Sequence, residues 1–349
     1  MEAKQTNIAV IGAGAIGGTT ASFLKQAGWD PEVVCKNQKT VNKISGQGLH
    51  VTGVKGERRV PMRAVKDISD LSGQKEFVFL ATKANDCRNA ARDLLPYLGN
   101  NSAVVSLQNG ICEEALAGIL GRDRVVGCVV GWGATNKGYG EVEVTSEGEF
   151  VIGKMDNLRD ERLSSIQEML SSLYPTRISQ NIIGELYSKL IINSCINSLG
   201  VVGGVKLGKL LANRKAREIF LELMREAMSV AEAMHVKVEP AGGGKLDYYR
   251  LLAQSGIFSG LKRYMTIRIV GFKYRRIKSS SLQSLERGRR TEIDFLNGYI
   301  SDKGKTYGVN TPVNDAVWAM VRKIEDGQRA ISMKNFDDLS ISVRQKCRN

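Results

Sequence analysis

The stretch Ile8-Ala-Val-Ile-Gly12-Ala-Gly14-Ala-Ile-Gly17-Gly18 decides the fold of the N-terminal half. Its apolar start is typical of a buried strand and leads directly into the spacing G-x-G-x-x-G, after which a helical pattern begins. In such a unit the first glycine permits a tight turn, the second lets the backbone approach a pyrophosphate, and the third allows the helix to pack on the strand. The helix N-terminus adds free N–H groups and a partial positive charge. This context predicts a dinucleotide-binding turn made by Gly12, Ala13, Gly14, Ala15, Ile16 and Gly17.

Beyond this turn, the first half alternates β-rich runs with helical ones, which is the pattern of a parallel sheet with crossover helices. Helical periodicity is clearest over residues 15–28 and 86–98. We therefore expect an α/β, Rossmann-type doubly wound domain over residues 1–180. The predicted strands are residues 8–12, 31–35, 76–82, 103–108, 124–131 and 149–154.

After Asn181 the strand signals give way to long helical patterns. We expect an all-α C-terminal domain over residues 181–335, which would be a helical substrate and catalytic domain. A C-terminal tail, residues 336–349, has no clear apolar periodicity and is expected to fray. The predicted helices are residues 184–202, 213–234, 248–269, 281–307 and 312–328.

Length and composition exclude several classes of protein. A chain of 349 residues is long enough for two domains with cores of their own, and no apolar run is long enough to span a membrane. The N-terminus lacks the pattern of a secretory signal, so we expect a cytoplasmic protein. Six scattered cysteines without a C-x-x-C pair and only two histidines favour reduced thiols and argue against a bound metal.

The positive charge of the chain is concentrated in its second half. Residues 1–180 carry 21 basic and 20 acidic side chains, whereas residues 181–349 carry 29 and 16. Between Lys262 and Arg290 ten basic side chains accompany one acid, a distribution that attracts anions. An NADP(H)-sensing or anion-binding protein therefore stays open as an alternative to an enzyme. We expect no nucleic acid partner, because the segment has few stacking aromatics and no recognisable nucleic-acid motif.

The end of the second predicted strand bears on the choice of nicotinamide cofactor. NAD-specific sites usually carry an acidic residue there, which holds the ribose 2′-hydroxyl. This chain has Lys36 at that position, and a lysine can pair with a 2′-phosphate. The sequence therefore favours NADP(H), although a lysine at a strand end can also be an ordinary solvated residue.

A polar stripe interrupts the first helix of the second half. Lys189, Asn193 and Asn197 lie at i, i+4 and i+8 of a helix that is otherwise rich in Leu and Ile. Such a stripe either faces solvent or lines a place where something polar binds, because buried polar groups are costly when unpaired. Reduction of a carbonyl by hydride needs a proton donor, and Lys189 is a candidate for this role.

Five motifs together resemble the ketopantoate reductase (2-dehydropantoate 2-reductase) family. They are GAGAIGG (12–18), ATKAND (81–86), SLQNG (106–110), KLIINSCIN (189–197) and SSSLQSLERGRRTEIDFLNGY (279–299). The resemblance extends from about residue 8 to about residue 325. It implies a Rossmann domain followed by a helical domain, and NADPH-dependent reduction of 2-dehydropantoate, a 2-oxo acid, to pantoate.

The resemblance also implies roles for individual residues. Lys189 would be the general acid, and Glu292 would contact both this lysine and the cofactor. Asn193 and Asn197 would contact the substrate, and Ser280 would bind its carboxylate. The remaining residues implied by the resemblance lie in the first half: Asn109 between cofactor and substrate, Lys83 near the adenosine phosphate, Lys36 at the 2′-phosphate and Ala134 beside the nicotinamide.

Two departures from the family pattern concern the substrate. Where the family has substrate-contacting asparagines, this chain has Ile277 and, after the helix stripe, Leu207. A different, bulkier or more anionic, 2-oxo acid is therefore an alternative to 2-dehydropantoate, and a related reductase of another oxo acid is the alternative activity. The amphipathic stretch 248–269 could be an interface or a lid, so a homodimer is possible.

Overall fold

The computed structural model describes residues 7–244, 246–253, 264–269, 272 and 275–346. The chain divides into two compact units, Met1–Leu186 and Tyr187–Asn349. The described strands are β1 Ile8–Ile11, β2 Glu32–Val34, β3 Leu49–Gly53, β4 Arg58–Val60, β5 Ala64–Val65, β6 Lys75–Leu80, β7 Leu98–Ser106, β8 Val125–Val130, β9 Gly133–Gly138, β10 Glu141–Ser146, β11 Phe150–Lys154 and β12 Thr176–Ile178.

In the first unit the helices pack around these strands. In the second unit helices make up most of the described structure. Residues 264–269 are helical as well. The numbered helices are α1 Ala15–Gln26, α2 Gln38–Gln47, α3 Ala84–Leu94, α4 Glu113–Leu120, α5 Arg162–Ser171, α6 Ile182–Gly203, α7 Leu207–Ala212, α8 Arg214–Ala233, α9 Ala241–Gly244, α10 Tyr248–Ala253, α11 Ser280–Glu286, α12 Asn297–Tyr307, α13 Pro312–Glu325 and α14 Asn335–Lys346.

An eight-stranded sheet in the order β12-β11-β8-β7-β6-β1-β2-β5 forms the centre of the first unit. Neighbours from β5 to β8 are parallel, and β11 pairs antiparallel with β8. From β1 the chain turns first to β2 on one side and later to β6 on the other. The carboxyl end of β1 is therefore a topological switch point, which is where open α/β sheets bind their ligands. All six predicted strands are confirmed.

A second sheet, in the order β4-β3-β10-β9, was not predicted. Its edge strands gave little signal, because β4 has only three residues and β9, GATNKG, has no apolar alternation. In contrast, β10 reads EVEVTS, with Val142 and Val144 buried, and this period-2 pattern could have indicated a half-buried strand.

The predicted helices of the second unit are confirmed for α6, α8 and α13, but the expected single helix over residues 281–307 is wrong. The helix α11 ends at Glu286, and Gly288 follows with a φ of +68°, a backbone conformation that glycine adopts readily. A 3₁₀ turn, Ile293–Phe295, then leads into α12. Of the predicted helix over residues 248–269, residues 254–263 lie outside the described residues.

The expectation that residues 336–349 fray is wrong for the described part of that segment. These residues form α14, in which Phe336 and Leu339 are buried. The Asn335 side chain donates from Nδ2 to the carbonyl oxygen of Val202 at 3.0 Å, and Phe336 packs where a Cβ on Gly203 would lie 2.9 Å from its ring. Two large apolar side chains in a short helix were enough to dock it.

Across the described residues, no helix is both long and apolar enough to cross a membrane. Within the same residues, no cluster of three or more His, Cys, Asp or Glu side chains could hold a metal ion. Cys35, Cys87, Cys112, Cys128 and Cys195 are buried, and none of these five is in a disulfide.

Candidate functional site

Three glycines give the turn after β1 the shape of a phosphate cradle, and each contributes in a different way. Gly12 has a φ of +109°, and a Cβ there would lie 2.8 Å from the Ala81 carbonyl oxygen. A Cβ on Gly17 would lie 2.0 Å from the Gly12 carbonyl oxygen, so α1 packs on the turn only because this residue is glycine. Gly14 caps α1, and a Cβ there would meet nothing within 4 Å. The open backbone at Gly14, at a helix N-terminus, fits a dinucleotide pyrophosphate.

The other candidate cofactor residues of the first unit lie at the same edge of the sheet. Because β1, β2, β6, β7 and β8 are parallel, the segments that follow them emerge at one edge. Lys36 follows β2, Lys83 caps α3 after β6, Asn109 follows β7, and Ala134 lies in β9 after β8. The structure thus brings the sequence-predicted residues of this unit to the carboxyl ends of the strands.

Lys36 projects from the end of β2, with its side chain 76% exposed. Its Nζ donates to the Asp86 carboxylate, on the first turn of α3, at 2.8 Å. Exposed ion pairs of this kind contribute little to stability, so the ammonium can exchange its partner for a phosphate at small cost. Asp86 was not singled out from the sequence, although it ends the motif ATKAND.

A buried amide network joins the ends of β6 and β7 beside Asn109. Ser106 Oγ donates to Gln108 Oε1 at 2.7 Å, and Gln108 Nε2 donates to Thr82 Oγ1 at 3.3 Å. Asn109 itself is half-buried and precedes Gly110, whose φ is +84°. The hydrogen bond between Gln108 and Thr82 could not be predicted from spacing, because both residue types are common in loops.

In the second unit, α6 is buried on nearly all sides. Between Gly184 and Gly203 only Lys189, Ile192, Asn193 and Ile196 are not fully buried. These residues lie at i, i+3, i+4 and i+7, so they form one narrow accessible face of an otherwise apolar helix. Asn197 continues the polar side of this face and is 5% exposed. Because Lys189 and Asn193 are half-buried and Asn197 is buried, the stripe is not simply a solvent-exposed helix surface, which was the alternative that the sequence had left open.

Ser279 and Ser280 have different roles at the start of α11. Ser279 is the N-cap, and its Oγ accepts from the Leu282 backbone N–H at 3.3 Å. Ser280 Oγ donates to Asn197 Oδ1 at 3.2 Å, so the serine hydroxyl and the asparagine of the stripe meet directly. Gly200 permits this approach, because a Cβ there would lie 2.3 Å from Ser279 Oγ. Ser280 is thus the serine whose hydroxyl contacts the Asn197 side chain, whereas Ser279 Oγ donates to the Asn197 backbone carbonyl at 3.5 Å.

Glu292 lies immediately before the 3₁₀ turn Ile293–Phe295 and is 6% exposed. Its backbone carbonyl accepts from the Phe295 N–H at 3.0 Å, and the N–H of the preceding residue, Thr291, donates to Glu325 Oε1 at 2.6 Å. The segment is therefore held on both sides. Glu292 is thus a buried acid at the start of a 3₁₀ turn and not an exposed acid on a helix surface.

The two residues that depart from the family pattern lie next to each other. The Leu207 N–H donates to the Ile277 carbonyl oxygen at 2.9 Å. Both side chains line a cavity of about 490 Å³ in the second unit, together with Ile192 and Ile196 from the accessible face of α6.

The Rossmann-type sheet, the open glycine turn at its switch point and the polar face of a helical unit define an oxidoreductase that works with a nicotinamide cofactor on a carbonyl or hydroxyl group. Comparison with protein families identifies the family within this class. Residues 8–157 match the family model described as ketopantoate reductase PanE/ApbA, and residues 181–325 match the model of its C-terminal domain. The chain belongs to the ketopantoate reductase family.

Individual relatives agree with this membership. A 2-dehydropantoate 2-reductase of Pyrococcus horikoshii is 29% identical over 91% of this chain and 97% of its own length. A PanE/ApbA family ketopantoate reductase from Ralstonia eutropha has a TM-score of 0.78 at 28% identity, covering 93% of this chain and 99% of its own. A D-mandelate dehydrogenase solved with NADH and anilino(oxo)acetate has the same TM-score at 24% identity over 92% and 98%, which is a likeness of fold alone.

Proposed function

We propose that this protein reduces a 2-oxo acid to the corresponding 2-hydroxy acid with NADPH, and that 2-dehydropantoate is the first substrate to test. The observation that carries the proposal is the accessible face of α6. On a helix buried elsewhere, it presents Lys189 and Asn193 and continues to Asn197, which contacts Ser280. The names of the curated relatives at up to 29% identity support an oxo acid as substrate.

Each polar residue of this face has a role in the proposed reaction. A bound reduced nicotinamide supplies hydride to the keto carbon. Lys189 donates a hydrogen bond and then a proton from Nζ to the oxygen that gains charge. Asn193 and Asn197 offer amide groups to the substrate, and the Ser280 hydroxyl, whose one hydrogen would turn from Asn197 Oδ1 to the incoming acid, binds its carboxylate. Holding the acid at both ends limits its freedom at the reacting carbon, which is a large part of what an enzyme contributes.

Glu292 and the first unit complete the proposal. Glu292 is a positioning residue that orients Lys189 and the cofactor. Gly12, Gly14 and Gly17 would hold the pyrophosphate, and Asn109 and Ala134 would contact the nicotinamide side. Lys83 and Lys36 would bind the phosphates of the adenosine half, and Lys36 favours NADPH because its ammonium pairs with a 2′-phosphate and not with a hydroxyl.

The experiment is a turnover assay that follows the loss of NADPH or NADH absorbance with 2-dehydropantoate, and it identifies the hydroxy acid by mass. We expect turnover with NADPH that exceeds turnover with NADH at equal concentration. Binding of NADPH without reduction of any 2-oxo acid would overturn the enzyme assignment. It would favour the alternative of a protein that senses NADP(H).

A further inference from the structure

The cavity beside the polar face of α6 has no role in the proposed reaction as described so far. We infer that it receives an apolar substrate side chain, and that the preferred substrate is a 2-oxo acid with a branched aliphatic or aromatic group. This inference rests on the proposed function and names its substrate class.

The cavity and the polar stripe share one helix face. Ile192 and Ile196 each immediately precede an asparagine of the stripe, and both are only partly buried. The accessible face of α6 is thus divided lengthwise into a polar side, which would hold the keto acid, and an apolar side, which opens on the cavity. A substrate bound by its carboxylate at Ser280 has its side chain next to this apolar side.

The lining of the cavity selects for apolar groups. Of the thirteen described residues around it, only Thr266 has a polar side chain. The walls opposite α6 include Leu211, Phe220 and Met224, which are buried. Without nearby partners, a substrate hydroxyl placed here would lose its hydrogen bonds to water, whereas a hydrocarbon group would lose none.

The size of the cavity fits a ligand group. Its volume of about 490 Å³ lies within the range of roughly 300–1,000 Å³ that is usual for small-molecule sites. It exceeds by about threefold an engineered apolar cavity of about 150 Å³ that binds benzene. An aromatic ring or a branched chain of four to five carbons would therefore fit.

Ile277 gives an independent indication. Its side chain is 49% exposed although it is strongly apolar, and it borders the cavity from the segment that leads to Ser280. Leu207, joined to it through the backbone, lines the same wall. An asparagine at either position could bind a substrate hydroxyl, and this chain has a hydrocarbon side chain at both.

The test compares kcat/KM for 4-methyl-2-oxopentanoate, phenylpyruvate, pyruvate and 2-dehydropantoate, with NADPH as the reductant. We expect the best of the two apolar acids to exceed both pyruvate and 2-dehydropantoate by about tenfold or more, which is what one to two buried methylene groups contribute in a hydrophobic pocket. A preference for 2-dehydropantoate would overturn the inference and leave the proposed function intact. Absence of turnover on all four acids would overturn both.

A pair of variants separates substrate recognition from stability. Ile277→Asn alters a half-exposed side chain, so the variant should fold, and it should lower kcat/KM for the apolar acid about tenfold while that for 2-dehydropantoate stays the same or rises. Ile341→Asn changes an isoleucine that is 57% exposed and does not line the cavity, and it should leave the ratio of the two values unchanged. Equal loss for both acids in Ile277→Asn would contradict the inference.

Discussion

At the residue scale, Lys36 is the side chain on which the choice of cofactor depends. It follows β2 by two residues, is largely exposed and pairs with Asp86 through one hydrogen bond of 2.8 Å. A 2′-phosphate carries more charge than a carboxylate and offers three acceptor oxygens, so it competes well for this ammonium.

Replacing Lys36 should therefore affect one cofactor and not the other. We expect Lys36→Ala to raise the KM for NADPH by about tenfold or more and to leave the KM for NADH within about twofold, because a hydrogen bond to a charged group contributes about 1.5–3 kcal/mol. Steady-state kinetics with both cofactors measures this. Lys39→Ala, which removes another exposed lysine of the same segment, is the control. Equal effects on NADPH and NADH would contradict the role of Lys36.

Two glycines of the turn after β1 allow cofactor binding to be separated from stability, because an added methyl group has space at Gly14 and none at Gly17. Gly14→Ala adds a methyl group to open space, so the protein should keep its thermal midpoint and lose about tenfold or more in NADPH affinity. Gly17→Ala places a methyl group 2.0 Å from the Gly12 carbonyl oxygen, so it should destabilise the fold by about 1–3 kcal/mol.

Calorimetry and a cofactor titration separate these effects. Gly118→Ala is the matched control, since a Cβ within α4 would meet nothing within 4 Å; it should stabilise slightly and leave cofactor binding unchanged. Unchanged NADPH affinity in Gly14→Ala would contradict the assignment of the cradle.

At the residue scale, the sequence predicted the role of a residue where the surrounding motif determines it. The G-x-G-x-x-G spacing predicted the three glycine roles, and its position after an apolar run predicted the strand. Asp86 and the Ser106–Gln108–Thr82 network were not available, because they depend on which strand lies beside which. Ser280 could be distinguished from its neighbours only once Ser279 was seen as the N-cap.

At the scale of elements, one carboxylate holds the start of α13. Glu226 of α8 accepts from the Val313 N–H at 2.7 Å and from the Asn314 N–H at 2.8 Å, and also from Asn314 Nδ2 at 2.7 Å. Asn297 of α12 donates to Asn314 Oδ1 at 2.9 Å, so three helices meet in one polar cluster. Burial raises the pKa of Glu226 to about 7, and these hydrogen bonds oppose the rise only in part.

This raised pKa gives a pH dependence with a definite sign. The folded state binds the Glu226 proton more tightly than the unfolded state, in which the pKa is 4.5. Protonation of Glu226 therefore stabilises the folded state fully below pH 4.5, and this contribution is lost as the pH rises through 7. The free energy of unfolding of the wild type, relative to that of Glu226→Gln, should fall by up to about 3 kcal/mol between these limits. Urea unfolding at pH 5 and pH 8 measures it.

Glu222→Gln, on the same helix and paired at the surface with Arg225, is the control and should keep the wild-type pH profile. A difference between wild type and Glu226→Gln that is independent of pH would mean that the carboxyl of Glu226 does not titrate with folding. The cluster itself could not be predicted, because Glu226, Asn297 and Asn314 are far apart in sequence and each is common on a helix surface.

Predictions of elements succeeded where periodicity was long and failed where it was short or interrupted. The helix α6 is rich in Leu and Ile over most of its length, and strands such as β1 and β8 consist of apolar residues and glycine. The second sheet rests on strands of three to six residues, and the break after α11 depends on one glycine. The docking of α14 depends on Phe336 and Leu339, too few residues for a pattern.

At the scale of the whole molecule, the chain divides its chemistry between its units. The proposed cofactor residues belong to the first unit, apart from Glu292, and the proposed acid and substrate residues belong to the second, apart from Asn109. The family match over residues 8–157 and 181–325 covers both units, so membership concerns the whole enzyme and not one domain. The two departures that the sequence resemblance indicates, Leu207 and Ile277, both lie in the second unit.

The central claim is that Lys189 donates the proton in the reduction of a 2-oxo acid, and one measurement tests it most directly. It compares kcat on the best oxo acid, and the Kd of NADPH, between the wild type, Lys189→Ala and the exposed-lysine control Lys323→Ala. Loss of a general acid should lower kcat by about 10²–10⁴-fold in Lys189→Ala and leave the Kd within about twofold, with Lys323→Ala unchanged in both. A Lys189→Ala enzyme that retains kcat within a few-fold of the wild type would contradict the account.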